Sequence, residues 1–286
     1  MNAFTSIGMG TIKVGKSVII GAGAQVVFNK PGTIKIGDYC TIGAGVKVVC
    51  SGGDVSIGDW TTLHDNCLIL AGQYARIGEH CWFGQNCVLD GTGGLAIGNG
   101  VRVGMYSQIW SHVAAGEQIE GCTLFGERPV EIEDHVWLVG SCIVASGVTL
   151  GRRTVALIGS NITKPWPANS VLAGTPAALK AGLTFYRDIT LDEKWALMGQ
   201  WLQSARADLR IFVAVVSADL LAVTAGEGEG KIFFARRAAA AATTRAAHPD
   251  ATVCCIEDKC YSKRFTTVEQ RVLKYLSGNK ARFFAA

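Results

Sequence analysis

Five histidines are the chain's natural proton carriers at neutral pH, and one of them, His112 in MYSQIWSHVAAGEQ (residues 105–118), stands where a long regular pattern breaks. An imidazole at such a point could act as a general base, because its ordinary pKa lets it take a proton from a hydroxyl or amine near neutrality. The stretch that follows carries Glu117, Glu120 and Glu127, any of which could orient the ring or touch a second substrate, and spacing alone does not choose among them. The other histidines suit such work less. His80 and His135 fall three residues after an apolar anchor, a phase expected to face solvent, while His64 replaces a corner glycine and His248 ends an alanine-rich helix. Metal chemistry finds no pattern. Of ten cysteines only Cys254, Cys255 and Cys260 cluster, and no CxxC pair occurs, so no metal site is expected.

The pattern that His112 interrupts is a hexad. Apolar anchors recur every six residues as Val14, Ile20, Val26; Ile36, Ile42, Val48; Ile57, Leu63, Ile69; Ile77, Phe83, Leu89; Ile97, Val103, Ile109; and then Ile132, Leu138, Val144, Leu150, Ala156, Ile162. Glycine usually follows the anchor, and a small or β-branched residue stands four places on. Three hexads make one closed coil of three short strands, so the spacing predicts a triangular prism of stacked coils about 4.8 Å apart, anchors inward and strands paired in parallel. A single coil cannot bury its faces, but a stack can. Cys40, Cys67, Cys81, Cys87 and Cys142 occupy the small inward position and read as core, which fits a reducing compartment. The coils repeat every 20 to 22 residues until Ile97, after which the next anchor of that phase, Ile132, lies 35 residues away. A loop of about fifteen extra residues must therefore leave the prism after Ile109, and loops thrown from a rigid scaffold are where function tends to sit.

These repeats, together with RPVEIEDHVWLVGSCIVASGVTLGRRTVALIGSNITKPWPANSVLAGTPAALK (residues 128–180), resemble the hexapeptide-repeat acyltransferase superfamily and, within it, the sugar and polysaccharide O-acetyltransferases. The similarity covers roughly residues 7 to 182. It implies a left-handed parallel β-helix, a handedness the repeat period does not itself supply. It also implies transfer of an acetyl group from acetyl-CoA to a sugar hydroxyl or amine, with His112 as base, no metal required, and a homotrimer that holds coenzyme A between neighbouring subunits. Trp137, Gly140, Ser141, Ser160 and Lys164 match positions that line the cofactor groove, with Lys164 able to meet phosphate. Val139 and Leu157 depart from the glycine usual at their corners. Zinc carbonic anhydrases share the fold, but their paired histidines five residues apart are absent here, and His80 and His112 lie in different phases. The alternative, from another class, is a non-catalytic β-helix serving as a scaffold or binding protein.

Composition changes near residue 182. Thirty of 35 glycines fall in residues 1 to 182, and the whole net charge of +4 lies after it, where 15 Lys+Arg face 11 Asp+Glu. The domains expected are a β-helix over 1–182 and an α/β module over 183–286. That charge is too mild for nucleic acid. The start lacks a secretory pattern, and the longest apolar stretch, Ile211 to Ala225, is broken by Ser217 and Asp219 and short for a membrane span, so a soluble cytoplasmic protein is expected. In the module, Thr190 and Glu193 form a capping-box pattern ahead of a helix. KIFFARR and ATVCCIE read as strands around the helix Ala238 to Ala247, and a last helix ends at Gly278 before a final strand. The run Lys259 to Arg264 is a candidate for acceptor recognition or assembly, set against a plain solvated hairpin.

Overall fold

The computed structural model describes residues 3–114 and 116–286, and the chain divides into two compact units, Met1–Tyr186 and Arg187–Ala286. In the first, the hexads become three sheets of seven, nine and eight strands that wind round a common axis, parallel throughout except where Ala178–Leu179 closes the nine-stranded one antiparallel to Val171–Ala173. The chain passes from the first face (Leu95–Ile97, for instance) to the second (Arg102–Val103) and the third (Gln108–Ile109), then begins the next coil. Register follows the hexad count: Ile77 pairs with Ile97, Phe83 with Val103 and Leu89 with Ile109. From Val26 onward the anchors fill the interior, while Val14 in the first coil stays exposed, and Cys40, Cys67, Cys81, Cys87 and Cys142 are all buried among them as expected.

The glycines that follow the anchors answer to the next coil, not to a special backbone angle. A β-carbon on Gly104 would come to 1.9 Å from the Val139 carbonyl oxygen, and one on Gly37 to 2.7 Å from the Asp59 nitrogen. Positive φ falls two residues later, on Tyr39 (60°), Trp60 (61°), His80 (56°) and His135 (60°) along the corner between the first and second faces. That geometry corrects the solvent-facing expectation for His80. Its side chain lies over the ring of the coil before it, stacked on Trp60 with the planes 2° apart, and the residue is only 4% exposed. Carboxylates join the same corner from coil to coil, the Lys16 amide donating to Asp38 Oδ1 and the Asp38 amide to Asp59 Oδ1.

The second unit is a six-stranded mixed sheet with helices on both faces. Helices α1 (Leu191–Ser204) and α2 (Arg206–Leu209) precede a hairpin of Phe212–Ser217 with Leu220–Thr224. The long apolar stretch is thus two antiparallel strands, turned where Ser217 and Asp219 interrupt it. Helix α3 (Ala238–Ala247) connects the parallel strands Lys231–Ala235 and Thr252–Cys255. Helix α4 (Thr267–Ser277) connects Cys260–Tyr261 to Phe284–Ala285. Successive strand residues face opposite ways, so Val253 and Cys255 pack with Ala241 of α3 while Thr252 turns its hydroxyl to Glu269 of α4. The capping box at Thr190 and Glu193 is formed. Among the described residues, no helix is long and apolar enough to cross a membrane.

Candidate active site

The excursion after Ile109 is a β-hairpin. His112–Ala114 pairs antiparallel with Phe125–Glu127, His112 opposite Glu127, and a short 3-10 turn at Gln118–Glu120 lies between the strands. His112 is therefore held at the corner between the third and first faces, where a strand leaves the prism and a two-stranded ladder fixes its backbone. Its Nδ1 lies 2.7 Å from Oδ2 of Asp90, which belongs to the third-face strand Val88–Gly91 of the preceding coil. None of the three glutamates supplies that partner. Glu117 and Glu120 are exposed on the turn, and the Glu127 carboxylate accepts from Gln73 Nε2 at 3.2 Å.

Asp90 is fully buried and accepts six hydrogen bonds. Oδ1 takes the Thr92 amide (3.0 Å) and hydroxyl (2.5 Å), while Oδ2 takes the Ser111 amide (2.8 Å) and hydroxyl (3.0 Å), the His112 amide (3.2 Å) and the His112 ring. Burial alone would push the carboxyl pKa up, but the bonds from Thr92, His112 and Ser111 overcome it and hold Asp90 below the usual carboxylate range. An ionised carboxylate can only accept, so it requires the proton on Nδ1 and leaves the lone pair on Nε2. The His112 side chain is 35% exposed, and Nε2 has no partner among the described residues. The Trp110 ring meets the imidazole edge-on, centroids 6.1 Å apart, and its Nε1 is tied to Gln108 Oε1 at 3.0 Å. A half-open imidazole with one nitrogen anchored on a buried charge and the other directed away from it can take a proton from a bound hydroxyl and return it.

The depressed Asp90 pKa carries a sign. A carboxyl lowered on folding stabilises the native state above its unfolded value, about 3.9, and loses that contribution as pH falls towards its lower native value. The melting temperature of the first unit is expected to hold from neutrality to about pH 5 and to fall below about pH 4. Calorimetry would show a shallower acid limb in Asp90→Asn, and an unchanged limb would remove this carboxylate from the account.

The residues matched to a cofactor groove lie in two places. Trp137 stands on the second face, 44% exposed, and Gly140 and Ser141 form the next corner, where Ser141 adopts φ 48° and donates its amide to the Met105 carbonyl at 2.8 Å. Ser160 lies one coil on at that corner but is fully buried, its hydroxyl on the Leu157 carbonyl at 2.6 Å, so its side chain is core and only backbone there can meet a ligand. Lys164 is on the His112 edge two coils further along, about 10 Å at one strand spacing per coil. It is exposed, with Nζ 4.8 Å from the Trp166 ring centroid. Within one chain, then, His112 and Lys164 share one edge while Trp137, Gly140 and Ser141 gather round another.

Comparison with known proteins accords with this architecture. Residues 11–50 and 74–105 match the hexapeptide repeat of succinyl-transferase. About a quarter of the chain is thus similar to that hexapeptide-repeat family. The left-handed β-helix expected of that superfamily agrees with the three parallel faces. It is 38% identical over 109 residues to nodulation protein L of Rhizobium leguminosarum bv. viciae, covering 37% of this chain and 57% of that protein. It is 30% identical over 130 residues to the galactoside O-acetyltransferase of Lactococcus lactis, covering 42% of this chain and 62% of that enzyme. The hexapeptide-repeat chain thus spans between half and two thirds of these relatives' length. The crystal structure of the polysialic acid O-acetyltransferase OatWY superposes with a TM-score of 0.49 at 18% identity, covering 66% of this chain and 93% of that one.

Proposed function

We propose that the protein is an acetyl-CoA-dependent acetyltransferase acting on a hydroxyl or amine of a sugar, nucleotide sugar or polysaccharide precursor. The observation that carries the proposal is the Asp90–His112 pair, a buried carboxylate fixing an open imidazole where the hairpin leaves the prism. A scaffold has no need of such a pair. The name of the Lactococcus lactis relative, a galactoside O-acetyltransferase, supports the reaction class and the kind of acceptor.

His112 Nε2 takes the proton as the acceptor oxygen or nitrogen attacks the thioester carbonyl, and Asp90 stabilises the imidazolium that results. The same proton then goes to the coenzyme A thiolate as the carbon–sulfur bond breaks, so one acetyl group has moved and His112 is neutral again. No protein side chain carries the acyl group. Gly140 and Ser141 present backbone to a cofactor groove beside Trp137, and Lys164 offers a charge to phosphate. Since His112 and Trp137 occupy different edges of one prism, a groove uniting them needs a second copy, and we place it between neighbouring subunits of a homotrimer in the cytoplasm.

The test is a mass-spectrometric screen of nucleotide sugars and oligosaccharides incubated with protein and acetyl-CoA. Gain of one acetyl group on a sugar, with release of free thiol, is the expected result. No gain on any acceptor and no thiol release above background would sink the proposal.

A further inference from the structure

A cavity of about 640 Å³ opens in the second unit, lined by Asp208, Leu209 and Arg210 at the end of α2, Gly226 and Glu229 in the turn before Lys231–Ala235, and Arg271 on α4. Its volume lies within the roughly 300–1,000 Å³ of ligand pockets. Two of its four charges are already committed. Arg271 Nη2 meets Glu229 Oε2 at 2.7 Å and Nη1 donates to the Leu209 carbonyl at 2.9 Å, which braces the wall. Arg210 is different: among the described residues its guanidinium has no carboxylate partner, and its backbone sits at φ 50°, ψ 52° as the C-cap of α2, a conformation that suits glycine.

Leu209 and the alkyl stems of the charged residues give the lining an apolar share beside its charged tips, a mix that fits a sugar with both C–H faces and polar groups. A free guanidinium matches a carboxylate through two parallel N–H bonds. The Asp208 carboxylate and the second oxygen of Glu229, Oε1, can accept from hydroxyls. The second unit's excess of 15 Lys+Arg over 11 Asp+Glu favours the approach of an anion. We propose that this cavity is a binding site for a carboxylated sugar, with Arg210 on the carboxylate and Asp208 and Glu229 on ring hydroxyls. The assignment rests on the sugar-acceptor reading above and gives it a class, an acidic saccharide held by the second unit.

Calorimetry on the full chain without acetyl-CoA tests it, using trigalacturonate, maltotriose and inorganic phosphate as probes on wild type and Arg210→Gly. Trigalacturonate is expected to bind saturably and maltotriose not to bind. Glycine suits the left-handed backbone, so Arg210→Gly should melt no lower than wild type while binding trigalacturonate at least tenfold more weakly. Four results would overturn the proposal: no saturable binding of trigalacturonate, equal binding of maltotriose or phosphate, full affinity in the variant, or lost affinity accompanied by a lower melting temperature. Acetyl transfer to a small neutral sugar is assayed on wild type in parallel. Failure of that transfer in wild type strikes the acetyltransferase reading and leaves the binding result standing.

Discussion

Replacing His112 with alanine should lower kcat for acetyl transfer by about 10² to 10⁴, the range that a positioned general base contributes. Little else should change. The side chain is partly exposed, and Asp90 keeps five of its six donors when the ring is gone, so the coil around it stays satisfied. Melting temperature is therefore expected to stay within about 2 °C, since a half-exposed position away from the core costs on the order of 0.5 kcal/mol. The residues proposed for the cofactor groove, Trp137, Gly140, Ser141 and Lys164, are untouched, so KM for acetyl-CoA should hold. Steady-state kinetics with an acceptor found by the screen would check this, and activity within threefold of wild type would remove the imidazole from the mechanism.

The fold was legible because the inward residue of every short strand is set by one repeating volume, which shows in the sequence as a six-residue period. The broken corner was legible for the same reason, as a jump from 20 to 35 residues between Ile97 and Ile132. Asp90 was not, although a signal existed. In the third sheet Val27, Val49, Leu70 and Asp90 occupy one register row, so the aspartate replaces an apolar residue on the half-buried outer side of that face. The period finds anchors, and Asp90 is the residue after an anchor, so only alignment of coil upon coil exposes it. His80 was misplaced for a related reason. A hexad phase says which residues point inward from a strand, but at a left-handed corner the side chain lies along the stack, and Trp60 buries it there. The Ser160 hydroxyl likewise follows the interior pattern of its coil, not the surface role suggested by family resemblance.

Changing Asp90 to asparagine should act on both activity and stability, and the division between them is the informative part. Asparagine keeps the shape but can no longer accept at both oxygens. Its lowest-cost arrangement puts the amide oxygen towards Ser111 and His112, where four donors converge, and the NH2 towards Thr92. The Thr92 hydroxyl can rotate to accept, but its backbone N–H is orphaned in a partly buried place, which costs up to about 1–3 kcal/mol. At roughly 2–4 °C per kcal/mol for a unit of this size, the melting temperature should fall by several degrees. His112 keeps its tautomer, because an amide oxygen still accepts from Nδ1, but it loses the full negative charge beside the imidazolium. A hydrogen bond to a charged group exceeds a neutral one by about 1–2 kcal/mol, so kcat should drop roughly 5- to 30-fold, less than for loss of the ring itself. KM for acetyl-CoA should be unaffected. A variant that melts lower but turns over at the wild-type rate would make Asp90 a brace for the corner and nothing more, and His112 would then act without a charged partner.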